Sequence, residues 1–150
     1  GAVSLDGYLR EIATSVSASL LGMASGIRID VEAEPLEIDP ERAVPFGLLV
    51  NELATNAIKH AFPQGAGRVV LSARQVGGDI ELIVADDGIG MRETNAAKAP
   101  EKRGSDYVAI FVRQLGGSIL APDTTQAGTT VTVRFPLHVV PPTSVEGLAA

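Results

Sequence analysis

Residues 50–60 read VNELATNAIKH. On a helix, positions four and seven apart share a side, so Glu52, Asn56 and Lys59 form one polar file. Phe46, Val50, Leu53, Ala57 and Ala61 form an apolar stripe roughly a third of a turn away. The file therefore borders a core instead of opposing it. A solvated edge holding a Glu–Lys pair of little energetic value accounts for such a file. Asn51 and Asn56 argue for more, because an asparagine inside a helix costs roughly 0.5 kcal/mol relative to alanine. An amide oxygen is a hard ligand of the kind Mg²⁺ takes beside its retained waters. A lysine one turn on can meet phosphate oxygens as a point charge. A carboxylate one turn before can orient a group or accept its proton.

Two further stretches carry chemistry. In VADDGIGM, residues 84–91, Asp86 closes an apolar run and Gly88 and Gly90 follow at a spacing of two. A plain Asp-Gly turn explains DDG by itself. Two glycines so placed also let backbone approach a flat or charged ligand, and an aspartate at a strand end can accept a hydrogen bond from an exocyclic amine. In GTTVTVRF, residues 128–135, Thr129 and Thr130 open a strand. Strand propensity and a turn glycine suffice for that stretch alone. The common nucleotide signatures are absent: no GxxxxGK[ST] occurs, and Glu93 stands where the third glycine of GxGxxG would be. Any nucleotide must be held by another scheme.

The elements that would position these residues follow from periodicity and punctuation. Residues 4–21 place Leu5, Tyr8, Leu9, Ile12, Val16 and Leu20 on one helical stripe behind Ser4 as N-cap, with Asp6 in the first turn. IRIDVEA, 27–33, alternates as a half-buried strand. Asp39 and Pro40 open a long helix reaching about Phe62, disturbed at Pro45. RVVLSARQ and DIELIVAD are strands joined across Gly77 and Gly78. Residues 87–105 lack apolar periodicity and predict a mobile loop. DYVAIFVRQLGG is a short helix stopped by Gly116 and Gly117. SILAP and TTVTVRFPL are the last strands, followed from His138 by a loose, proline-bearing tail. This order predicts an α+β fold, a two-layer sandwich in which a mixed, mostly antiparallel sheet carries about three helices on one face.

Composition bounds the rest. A chain of 150 residues is the size of one domain. With 45% hydrophobic but only 4% aromatic residues and no Trp, its core must be aliphatic. A net charge of −6 repels phosphate backbones and argues against a nucleic-acid partner. The absence of cysteine removes thiol catalysis, disulfides and Cys-based zinc sites, and fits a reducing cytoplasm. No apolar run approaches ~18 residues, so the domain is expected to make no direct membrane contact. Gly1 is not a start residue, so a fragment of a longer protein is expected.

Taken in order, the three motifs resemble the ATP-binding domain of sensor histidine kinases, the Bergerat fold shared with DNA gyrase, mismatch-repair ATPases and a major heat-shock chaperone. NELATNAIKHAF is similar to that family's N box, DDGIGM to its first glycine box and GTTVTVRFP to its last shared strand. The resemblance covers about residues 36–137. The opening LDGYLREIATSVSASL and the NELxTNAxKHAF wording resemble a subgroup related to the HWE kinases. HWE kinases proper carry a Trp-x-Glu motif, and this chain has no Trp, which points to the sister group.

The resemblance implies roles. Asn56 would hold Mg²⁺ on the triphosphate, Glu52 would orient or deprotonate the receiving group, and Lys59 and His60 would reach phosphate or ribose. Asp86 would accept the adenine amine, helped by a water and Thr129, and Thr130 would bind the nucleotide beside them. Gly88 and Gly90 would shape the pocket floor, and Met91 would flank the base. Residues 1–22 would be a lead-in helix, 1–137 the catalytic domain, 91–104 an ATP lid and 138–150 a flexible tail. Family members carry a G-x-G-x pattern before the RQLGG helix; here KRGS, 102–105, keeps Gly104 alone. Either closure over the γ-phosphate is reduced, or Lys102 and Arg103, followed by Gly104 and Ser105, supply by charge what backbone amides give elsewhere.

The implied reaction is transfer of the ATP γ-phosphoryl to a histidine on an upstream dimerisation domain of the same protein, then to a response-regulator receiver domain. Neither His60, inside the N box, nor His138, in the tail, matches that acceptor. The fragment is expected to bind nucleotide without labelling itself. Two alternatives share the motifs: a degenerate kinase-like adaptor with weakened ATP binding, and a gyrase-like ATPase or an anti-sigma serine kinase.

Overall fold

The computed structural model describes residues 2–21, 25–89, 103–120 and 128–138. A two-residue strand β1 (Val3–Ser4) leads directly into helix α1 (Leu5–Val16), where the Ser4 hydroxyl accepts the Gly7 N–H at 3.3 Å. α1 buries Leu5, Leu9, Ile12, Ala13 and Val16. The predicted continuation to residue 21 is helical but of π type over Ser17–Leu21. There Ser19 donates its hydroxyl to the Ser15 carbonyl at 2.9 Å, a back-bond that loosens helical ends. β2 (Gly26–Ala33) follows, then β3 (Glu37–Ile38), which pairs antiparallel with β1. That small ribbon escaped the sequence because two-residue strands carry no period.

Helix α2 (Pro40–Ala61) starts where expected, with the Asp39 carboxylate accepting the Arg42 N–H at 3.2 Å and Pro40 in the first turn. It runs through Pro45 without a break. The proline removes only the bond to the carbonyl of residue 41, and Glu41 lies exposed where water can reach it. Phe46, Leu49, Val50, Leu53 and Ala54 are buried beneath it. Phe46 sits between Tyr8 of α1 and Phe135, with ring centroids 6.2 and 5.9 Å away. Side chains of this size contribute roughly 1.5–3 kcal/mol each on burial.

The main sheet has five strands in the order β2-β4-β5-β7-β6. β4 (Ala66–Val76) lies parallel to β2; β5 (Asp79–Asp86), β7 (Thr129–Pro136) and β6 (Ser118–Ile119) complete it antiparallel. The β4–β5 hairpin turns at Gly77, whose φ of 60° favours glycine. Helix α3 (Arg103–Gln114) precedes β6. It begins inside the stretch predicted as loop, so Arg103, Gly104 and Ser105 form its first turn.

Alternation decides where the helices lie. Val69, Leu71, Ala73, Ile80, Leu82, Val84, Val133 and Phe135 point to one face and join the buried residues of α1, α2 and α3 in a single core. The predicted two-layer α+β sandwich is therefore the observed one. Among the described residues, no helix covers the opposite sheet face. Across it Glu81 receives Arg74 Nε at 2.9 Å and Arg134 Nε at 3.0 Å from the two neighbouring strands. The arginines cover it so well that it is only 4% exposed.

Candidate nucleotide site

Three chain segments meet at one end of the molecule. Asp86 is the last residue of β5, on the same side of the strand as Ile80, Leu82 and Val84, so its carboxylate continues the inward face past the edge of the core. Its Oδ1 accepts the Gly88 N–H at 3.0 Å and the Thr129 N–H at 3.3 Å. Thr129 stands opposite Asp86 in the β5–β7 register. Both donors use the same oxygen, which leaves Oδ2 without a protein donor among the described residues. Burial raises the Asp86 pKa above the ordinary aspartate range; the two backbone N–H groups oppose this and the neighbouring Asp87 charge adds to it.

The turn after Asp86 is fastened to α2. Ile89 donates its N–H to the Ala61 carbonyl at 2.9 Å, capping the helix C-terminus. Gly88 passes so close that a Cβ there would collide with the Ala61 backbone carbonyl. This is the close approach for which a glycine is required. Gly128, at φ 85°, crosses equally near the Asp86 carbonyl. Asp87, not singled out in the sequence, accepts the Arg68 N–H at 2.7 Å and fixes the start of β4 to the same turn. The doubled aspartate of DDG was its only sequence signal.

Glu52, Asn56, Lys59 and His60 lie back along α2 from this junction. At ~1.5 Å per residue, Asn56 is about 7 Å and Glu52 about 14 Å from Ala61 along the axis. Glu52, Asn56 and His60 are half-buried and Lys59 is exposed, so the polar file borders the core as its spacing implied. Thr129 joins this group, but Thr130 does not. Thr130 is paired with Ala85, and alternation turns both to the opposite face of the sheet. Thr130 therefore stands on the side of β7 away from Asp86. Gly90, Met91 and the predicted lid as far as residue 102 lie outside the described residues. Among the described residues, no group of three or more His, Asp or Glu side chains could hold a metal by itself. The donors in the polar file of α2, the Asn56 amide and the Glu52 carboxylate, suit an ion that keeps waters and shares phosphate oxygens. His138 is exposed, away from these elements. No helix among the described residues is long and apolar enough to cross a membrane.

Comparison with known proteins converges on this arrangement. Residues 41–139 match the family model described as histidine kinase-, DNA gyrase B-, and HSP90-like ATPase. Blue-light-activated histidine kinase 2 of Erythrobacter litoralis is 31% identical over 135 residues, 89% of this chain and 38% of that protein. Sensor histidine kinase PdtaS of Mycobacterium tuberculosis is 31% identical over 114 residues, 74% of this chain and 23% of that protein. The chain thus spans well under half the length of these relatives. The solved histidine kinase domain of Erythrobacter litoralis EL346 superposes with a TM-score of 0.75 at 31% identity, over 90% of this chain and 62% of that one. A site assembled from the end of α2, the β5 turn and the start of β7, on a sandwich of this topology, makes the chain a member of the histidine kinase-, DNA gyrase B- and HSP90-like ATPase family, as a catalytic ATP-binding domain of the histidine kinase type.

Proposed function

We propose that this domain binds Mg-ATP and transfers the γ-phosphoryl group to a histidine on a separate helical segment of its parent protein, from which a response-regulator aspartate takes it. The observation that carries this is the Asp86 carboxylate: one oxygen is locked by two backbone N–H groups, and the other has no donor among the described residues and suits a ligand. An exocyclic amine is the donor that suits that oxygen, and adenine presents one. Thr129 borders the same spot, and Gly88 forms the floor where it crosses Ala61.

With the base at Asp86, the phosphates run toward the polar file of α2. Asn56 would hold the metal by its amide oxygen, and Mg²⁺ would neutralise charge on the β and γ oxygens. Lys59 and His60 stand at the same edge to meet phosphate or ribose. Gly90 and Met91 are assigned to the continuing pocket wall, and Arg103, Gly104 and Ser105, at the start of α3, to the closing side. The first N–H groups of a helix lack intrahelical partners, so the start of α3 would offer donors to an anion there. In the transfer, the bond between the γ-phosphorus and the bridging oxygen breaks, a bond from phosphorus to imidazole nitrogen forms, and ADP leaves. Glu52 orients the imidazole and takes its proton. The protein's work is positioning and charge neutralisation. The lid, 91–104, and the separate tail, 138–150, belong to this proposal, as does a cytoplasmic location.

The test is transfer of labelled γ-phosphate from Mg-ATP by the intact parent protein. Glu52→Gln is expected to lower transfer by at least ~10²-fold while nucleotide still binds. Equal transfer by Glu52→Gln would remove the base assignment. Nucleotide binding indifferent to Mg²⁺, with no transfer by the parent, would make the domain an adaptor.

A further inference from the structure

The two elements that carry the site are tied together a second time, at the far end of the molecule. Arg42, in the first turn of α2, is only 5% exposed. Its Nε donates to Asp39 at 2.7 Å, and its two terminal nitrogens donate to the Pro136 carbonyl at 2.5 Å and the Leu137 carbonyl at 2.8 Å. The guanidinium carbon lies 5.5 Å from the centre of the Phe135 ring. Leu137 in turn donates its N–H to the Gly78 carbonyl at 2.9 Å. One side chain therefore joins the start of α2 to the end of β7.

At the site the same two elements meet again, here through β5: the turn after β5 is bonded to the end of α2, and the last residue of β5 to the start of β7. α2 ends at Ala61, which receives Ile89 N–H, and β7 begins at Thr129, which donates to Asp86. α2 is 22 residues long, about 33 Å, and β7 spans about 27 Å, so both act as rods between their two junctions. Packing alone does not fix how far a smooth helix slides along a sheet. A buried guanidinium bonded to two successive carbonyls and to the helix cap does, because its fork has fixed geometry.

We propose that Arg42 is a positioning residue for the nucleotide site: by locking the start of α2 to Pro136 and Leu137, it sets the offset between α2 and β7 that brings Asp86, Gly88 and Thr129 against Ala61. This rests on the nucleotide-binding reading for its effect on affinity, but not for its effect on the junction. The same tether joins the polypeptide leaving β7 to the helix bearing Glu52 and Asn56. Force on that exit would reach the site through Arg42.

The experiment uses the 150-residue chain, Arg42→Lys, and Glu81→Gln as a control that disturbs a buried charge network on the other face of the sheet. Lysine keeps a charge for Asp39 but offers one nitrogen where the guanidinium offered three. Two quantities are read well below the melting temperature: Mg-ADP affinity by calorimetry, and backbone hydrogen exchange. In Arg42→Lys we expect roughly three- to tenfold weaker Mg-ADP binding. We also expect faster exchange at the Gly88, Ile89 and Thr129 amides, with the Leu71 and Leu82 amides unchanged. Glu81→Gln should leave affinity and those three amides as in the parent. Unchanged affinity and exchange in Arg42→Lys would overturn the proposal. So would a uniform rise in exchange matched by Glu81→Gln, which is the mark of general destabilisation. If the parent chain fails to bind Mg-ADP, the nucleotide reading falls, and the three amides alone decide whether Arg42 sets the junction.

Discussion

Asp86 is held in a state that costs stability. Its folded pKa is raised, first by burial, above the ~3.9 of an unfolded aspartate. A raised carboxylate favours the folded state fully only below the unfolded value, and that contribution is lost as pH rises through the folded one. At neutral pH the ionised group is therefore a local liability, which a site kept for a ligand explains. Asp86→Asn keeps an oxygen for the Gly88 and Thr129 N–H groups and removes the ionisation. It is expected to melt at or above the parent at pH 7, with the difference shrinking toward pH 4. Melts at both pH values check this, and a variant weaker at pH 7 than at pH 4, relative to the parent, would contradict it. Because both backbone donors claim Oδ1, the asparagine NH₂ must replace Oδ2. A donor would then face the incoming amine. Stability and binding should therefore move in opposite directions.

Among the elements, the junction of α2 with the turn after β5 matters most. Gly88→Ala would drive a methyl group into the Ala61 carbonyl. We expect a loss of about 1–3 kcal/mol in denaturant unfolding, together with weakened nucleotide binding. A variant as stable as the parent would show that the turn has room the structure does not give it. On the sheet face away from the core, burial works against the Glu81 carboxylate, but hydrogen bonds from Arg134 and Arg74 outweigh it and hold its pKa below the usual glutamate range. A depressed carboxylate contributes stability above its unfolded pKa, ~4.3, and loses it as pH falls through the folded value. Glu81→Gln should cost about 1–2 kcal/mol at pH 7, less than a fully buried pair because both arginines remain partly exposed, and nothing near pH 2. Equal losses at the two pH values would sink the ionic explanation.

These elements differ in how far the chain announced them. α1, α2, β5 and β7 were legible because their core-facing residues repeat at 3.6 or 2, and the two helices open on Ser4 and on Asp39 and Pro40. Pro45 misled, since a proline warns of a lost hydrogen bond but not of whether water can take the orphaned carbonyl. The β1–β3 ribbon was too short to show a period. The first turn of α3 was hidden by KRGS, whose polar run looks like loop. Motif spelling pointed to Asp86, Gly88 and the α2 file, and the structure brings the Asp86–Gly88 turn against the end of α2. Spelling could not tell Thr129 from Thr130, because only the register of β5 with β7 says which threonine faces Asp86. Arg42 was invisible for a related reason: its partners lie 94 and 95 residues away.

For the whole molecule, the decisive feature among the described residues is that the two ends of one sandwich are fastened differently. Arg42 and Asp39 close the end where β7 leaves, and Asp86, Gly88 and Thr129 gather at the other beside the polar file of α2. A net charge of −6 makes this end a poor place for an anion unless local donors receive it, so the triphosphate proposed there would need its metal and Lys59. Binding should accordingly weaken when Mg²⁺ is chelated. Asp86 is the group proposed to select the base, and calorimetric titration of Mg-ADP into the parent chain and into Asp86→Asn tests this most directly. We expect saturable binding by the parent and at least ~10-fold weaker binding by a variant that remains folded. Equal affinity in the two proteins would contradict it.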